Sequence, residues 1–328
     1  MNTKTPTVLL NLALTGDEDR LIQYAVSFCE RSHMNLEFFH VIQDMVPYAS
    51  DGAYFPETMI ASLSEEELRS EAEKKMNALI KNLDSEVVSS ADVHIGWLEH
   101  CILRRVKEHD IDLLMVGKDK DYHSFFTRMT SSLKGLAQES SVPVIVVPKS
   151  YEKQLPRDPK ILIPDSLSHN HKGVISAAFG VCDQMSQAHL CHVHVSDDFS
   201  KDIEMVPPDK FELVFEAISS GGDDQDFKDM VSSYIRNQMK ERLENLRNSE
   251  DTDTDYEAIL LFGEPNKEVQ ELQKMIEPDL VVMGVQPKSL WTKLFHHNRI
   301  PFAEQMAIEF PVLLVPEKYN QKSTKKAA

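Results

Sequence analysis

The chain repeats itself, and a repeat constrains the fold more than any single motif does. Asp112-Leu-Leu-Met-Val-Gly117 returns as Asp279-Leu-Val-Val-Met-Gly284, 167 positions later. Val142-Pro-Val-Ile-Val-Val-Pro148 returns as Phe310-Pro-Val-Leu-Leu-Val-Pro316, 168 positions later. Earlier, Leu36–Val41 is answered by Ala188–Val193 at an offset of 152, so the second copy has gained 15 residues in its middle. Val8–Leu14 and Lys160–Pro164 open the two copies, each followed by a polar turn and a helix-like stretch, Glu18–Arg31 and Lys172–Gln184.

The repeated strands are short and continuously apolar, the pattern of parallel strands covered by helices on both faces. Parallel neighbours need crossover helices, and Glu65–Leu83, Cys101–Glu108, Asp226–Arg247 and Lys267–Ile276 supply candidates. The expected fold is α/β: two tandem doubly wound domains, each with a five-stranded, mainly parallel sheet flanked by helices. A chain of 328 residues accommodates two domains of about 150. The boundaries read as residues 1–149 and 160–318, with a linker at 150–159 holding Pro156 and Pro159, and a polar tail at 319–328. Gln43–Ser64 and Ser196–Gln225 read as surface excursions or lids.

Composition narrows the partners. Lys and Arg number 35 against 53 Asp and Glu, a formal charge of −18, and both halves are acidic. Nucleic-acid binders neutralise phosphates with basic faces, so no nucleic-acid partner is expected. Cys29, Cys101, Cys182 and Cys191 form no CxxC pair and read as reduced, buried thiols. No run reaches membrane-spanning length and no leader precedes the first strand, so a cytoplasmic location is expected.

The His-Val endings at Val41 and Val193, the Gly263-Glu264-Pro265 turn, the Asp-Leu strands ending at Gly117 and Gly284 and the Pro-Val-(apolar)-Val-Pro strands together resemble the universal stress protein family. The resemblance spans both halves. It implies a flavodoxin- or Rossmann-like sheet of the adenine-nucleotide alpha hydrolase type, whose last strand pairs domains. Val144–Val147 and Val312–Val315 would then pair within one chain as a pseudo-dimer, covering edges that are otherwise a liability. A further homodimer or a protein partner is left open.

Nucleotide-binding members of that family carry a loop of glycine, two residues, glycine, nine residues, glycine, then Ser or Thr. Glycines there let the backbone approach phosphates. In the first half the pattern falls on Gly117, Lys120, Thr130 and Ser131; in the second on Gly284, Pro287 and either His297 or Asn298. Each half keeps one glycine of three. The family's acidic residue at the end of strand one aligns with Ala13 and Ser166, with Asp165 one residue early. Lys118, Lys120, Thr130, Ser131 and Ser132 could bind phosphate through a cation and hydroxyls instead, or serve as a solvated loop and helix cap.

Histidines gather in the second half: His169 and His171 after its first strand, His194 at the end of the second, and His296 and His297 after the fourth. These segments emerge at the carboxyl ends of strands, where α/β sheets bind ligands, so Zn²⁺ binding is a candidate. Trp291, Leu294 and Phe295 read as a core-packed turn or an apolar partner patch. No Walker loop, Gly-x-Ser-x-Gly elbow or His-Glu-x-x-His is present. The leading reading is a non-enzymatic stress-response or signalling protein. The alternatives are an ATP or AMP sensor with an unconventional pocket and at most slow hydrolysis, or a metal or small-ligand carrier using the second domain.

Overall fold

The computed structural model describes residues 5–43, 64–83, 85–118, 135–165, 172–183, 188–196, 224–250, 254–285, 309–316 and 319. Five strands belong to each half: β1 Thr7–Leu12, β2 Asn35–Gln43, β3 Val88–Gly96, β4 Leu113–Lys118 and β5 Val144–Pro148, then β6 Lys160–Asp165, β7 His189–Ser196, β8 Asp255–Phe262, β9 Leu280–Val285 and β10 Val312–Pro316. The described helices are α1 Asp19–Ser32, α2 Glu65–Lys81, α3 Leu98–Glu108, α4 Lys172–Asp183, α5 Asp224–Glu250 and α6 Pro265–Ile276. A stretch at 135–139 is also helical. Ser64 starts α2 with a reciprocal capping box: Glu67 N–H donates to its hydroxyl, while its own N–H donates to the Glu67 carboxylate.

The strands form one ten-stranded sheet in the order β3-β2-β1-β4-β5-β10-β9-β6-β7-β8. Within each half all neighbours are parallel. At the centre β5 and β10 run antiparallel, with Val146 opposite Val312 and Val144 opposite Leu314. The two strands expected to be exposed edges therefore lie side by side, and β3 and β8 are the outer strands. The order 3-2-1-4-5 is that of a doubly wound sheet, whose crevice lies beyond the carboxyl ends of β1 and β4.

The Asp that opens each repeated Asp-Leu strand has a structural role. Asp112 Oδ2 accepts the N–H of Thr7 at 2.9 Å, and Asp279 Oδ2 accepts that of Lys160 at 2.9 Å. Each carboxylate thereby ties the start of one strand to its neighbour. Gly96, the last residue of β3, and Gly263, the first after β8, have φ of 148° and 145°, which explains their recurrence at the turn into α3 and α6.

One apolar face of the sheet packs Val8, Leu10 and Phe38 with α1 and α2 and runs on to Ile161, Phe179, Leu280 and Leu313 of the second half. The other face joins Leu9, Phe39 and Val116 to Leu162, Val193, Val281 and Leu314. Residues 150–159 follow the first half closely. Tyr151 packs edge-on to Tyr24 of α1 with ring centroids 5.7 Å apart, and Leu155 is 2% exposed. The Leu155 N–H donates to Ser27 Oγ at 3.0 Å. Tyr151 N–H donates to Pro148 O, and Tyr319 N–H donates to Pro316 O, a matching bond after each central strand.

Candidate functional site

In the first half the carboxyl edge is built from the turn after β1, the ends of β2 and β4, and Lys149 after β5. The turn folds back on itself. Leu14 and Gly16 have φ of 58° and 89°, and the carboxylate of Glu18, 2% exposed, accepts the N–H groups of Thr15 and Gly16 at 2.9 Å each. Two backbone donors that could face an anion are thus taken up internally. Lys149 Nζ reaches across to Asp17 at 3.0 and 3.2 Å and to Thr15 Oγ1 at 3.4 Å. The Asp17 carboxyl is held below the usual carboxylate range, first by the Thr15 hydroxyl and then by Lys149 against some desolvation. At the end of β2, His40 Nδ1 donates to Leu12 O at 2.8 Å, and burial holds its pKa below 6.5.

Gly117 and Gly284 sit at corresponding places near the ends of β4 and β9, opposite Val147 and Val315. A Cβ on Gly117 would stand 2.8 Å from Leu21 Cδ2 of α1; on Gly284, 2.9 Å from Val174 Cγ2 of α4. Neither has positive φ. Both surviving glycines thus admit the first helix of their half close against the sheet, a packing requirement independent of phosphate.

Of the other predicted loop residues, Lys120, Thr130, Ser131, Ser132, Pro287 and Asn298 lie outside the described residues, as do Trp291, Leu294 and Phe295. Lys118 lies buried at the end of β4, opposite Pro148. Among the histidines, His194 is placed: it is 5% exposed on β7, in register with Asp165 of β6 and Leu260 of β8. His169, His171, His296 and His297 lie outside the described residues. His192, like its counterpart position His40, belongs to the second strand of its half and is fully buried. Cys29, Cys101 and Cys191 are free and buried.

Sequence reasoning passed over Glu18, whose acid follows the turn rather than ending the strand. It also passed over His189, Cys191 and Glu257, whose donor atoms all lie within 4.8 Å of one another. Their signal was alternation, His-x-Cys on β7 facing Asp-x-Glu on β8, which becomes visible only once the strands are in register.

Residues 7–148 match the family model described as the universal stress protein family. Through that half, the chain is similar to the universal stress protein family. Universal stress protein D of Escherichia coli (strain K12) is 25% identical over 142 residues, 42% of this chain and 94% of the relative. Universal stress protein C of Salmonella typhimurium is 26% identical over 141 residues, 43% of this chain and 94% of the relative. The likeness in fold extends beyond that half: the crystal structure of a universal stress protein from Archaeoglobus fulgidus DSM 4304 covers 94% of this chain and 96% of its own, with TM-score 0.57 at 14% identity. Among the described residues no helix is long and apolar enough to cross a membrane.

Proposed function

We propose that this is a non-enzymatic, cytoplasmic stress-response or signalling protein of two universal-stress-protein-like domains, residues 1–149 and 160–318, with 150–159 strapping them and 319–328 as a tail. They act as an internal pseudo-dimer through β5 and β10 and serve a protein partner or small ligand without the family's glycine-lined phosphate loop. The observation that carries this reading is Glu18, whose carboxylate occupies the Thr15 and Gly16 donors at the place where strand one opens the crevice. The packing of Gly117 and Gly284 against α1 and α4 supports it, because glycine is retained there for reasons other than a ligand. The acidity of both halves fits a partner other than nucleic acid.

A second reading, an ATP or AMP sensor, draws support from two lysines at one edge: Lys149 N–H donates to Lys118 O at 2.9 Å, bringing both cations to the ends of β4 and β5. Thermal-shift titration of the whole chain with ATP and AMP, with and without Mg²⁺, separates the two. A ligand that binds only the folded state raises its stability by mass action. The first reading expects no shift at millimolar nucleotide; an upward shift abolished by Lys120→Ala or Ser131→Ala establishes the second.

A further inference from the structure

The two halves differ at one corresponding place, the amino end of their outer strand pair. In the first half Glu37 of β2 and Asp92 of β3 are bridged by a guanidinium: Arg105 Nε donates to Glu37 at 2.5 Å and its Nη1 to Asp92 at 2.7 Å. Arg105 and Glu37 side chains are only 11% and 8% exposed, so a buried cation holds these strands to α3. The 152-residue offset puts His189 at the place of Glu37 and Cys191 at that of Phe39. Strand register puts Glu257 opposite Cys191 as Asp92 is opposite Phe39. The counterpart of Arg105 on α6, at the offset of 167, is Leu272. The second half thus keeps a carboxylate, adds an imidazole and a thiol, and loses the cation.

The geometry around His189 is directional. Its Nδ1 lies 3.0 Å from Asp255 Oδ2, a carboxylate oxygen that only accepts, so Nδ1 carries the proton. Nε2 is then the ring atom turned toward Glu257, whose nearest oxygen stands 4.0 Å away. A cation placed between them would take both as ligands, and Cys191 Sγ closes the group within 4.8 Å.

We propose that His189 Nε2, Cys191 Sγ and the Glu257 carboxylate bind one Zn²⁺-class divalent ion at the amino end of β7 and β8, with Asp255 orienting the imidazole from behind. Nitrogen and sulfur donors favour such a metal over Mg²⁺ or Ca²⁺, which take oxygen ligands. Zinc bonds of about 2.0–2.3 Å need only a modest contraction of this group. The Asp255–His189 pair is the carboxylate–imidazole arrangement that fixes the tautomer of metal-bound histidines. Three protein ligands leave a fourth position for water or a partner's donor. Binding forms the Zn–S bond as the Cys191 S–H breaks, and that proton passes to solvent. Burial, then Glu257, pushes the Cys191 thiol up to about 11, with Asp255 acting the same way and Lys160 against it, so the free protein holds this proton at neutral pH. The site lies toward the opposite end of β7 from His194 and stands independently of the stress-protein reading.

The test is a Co²⁺ titration of the metal-free full chain, read by its thiolate-to-cobalt charge-transfer band and followed by Zn²⁺ displacement. One equivalent with that band is expected. Cys191→Ser should remove the band, His189→Ala or Glu257→Gln should weaken Zn²⁺ binding well beyond tenfold, and Asp255→Asn should weaken it by about 10- to 100-fold. His194→Ala should leave the titration unchanged. The His189 and Glu257 side chains are 38% and 60% exposed, so those variants test the site even if the buried Cys191 substitution perturbs folding. A cobalt complex without a thiolate band, unchanged Zn²⁺ affinity in both exposed variants, or loss of the ion on His194→Ala would overturn the proposal.

Discussion

Gly117 and Gly284 show how one residue can answer to a packing demand that its place in a motif does not reveal. In sequence each is the surviving glycine of a phosphate loop; in the fold each faces a helix side chain nearly a hundred residues away or more. Alanine at either place puts a methyl under 3 Å from that side chain, so overpacking should destabilise by about 1–3 kcal/mol, measured by denaturant unfolding. Gly284→Ala should cost more than Gly117→Ala, because Val174 is β-branched and stiff at χ1 whereas Leu21 can rotate its tip. Leu21→Ala should relieve part of the Gly117→Ala penalty in a double-mutant cycle. His40 provides a titrating counterpart. Burial holds its folded pKa below 6.5, with Leu12 O and Glu18 acting to raise it and Lys75 to lower it. The unfolded chain therefore binds the proton first: this contribution is fully present above the unfolded value and is lost as pH falls from there through the folded one. Stability of the chain should fall less steeply over that acid range in His40→Gln than in the parent.

At the scale of elements, much was legible because parallel strands buried on both faces leave an unbroken apolar signature and recur at fixed offsets. Helix starts were less so. The expected Cys101 start of α3 falls at Leu98, and the expected Lys267 start of α6 at Pro265, because the positive-φ glycines Gly96 and Gly263 turn the chain directly into each helix. The segment after β5, read as a linker from its two prolines, gave no sign of the contacts that Tyr151 and Leu155 make with α1 beneath them. Ser27 decides that strap: its hydroxyl donates to Tyr24 O at 2.9 Å and accepts from Leu155 N–H. Ser27→Ala leaves a buried N–H without its acceptor and should cost about 1–3 kcal/mol by chemical denaturation. The site was the least legible level, because Glu18, Lys149 and Asp17 meet only through a turn and a strand end that have no common spacing.

For the whole molecule, both apolar layers contain residues of both halves, and α1 reaches the second half through Tyr24 Oη, which donates to Asp279 O at 3.4 Å. Lys153 after β5 also pairs with Glu277 at 3.0 Å. The halves should accordingly melt together, giving one calorimetric transition whose van't Hoff and calorimetric enthalpies agree. Phe179→Ala, in the second half, should cost about 3–5 kcal/mol and lower hydrogen-exchange protection of β1 amides in the first half as well. Two separate transitions, or β1 protection untouched, would show halves that fold alone.

The antiparallel seam between β5 and β10 has a directional result. Every strand of one half runs against every strand of the other, so the two carboxyl edges open on opposite rims of the sheet. Small ligands at the two carboxyl edges would therefore enter from opposite rims. A substitution at one rim is therefore separated from the other rim by the full length of the strands, and any influence between them has to cross the shared sheet and the helices packed on it.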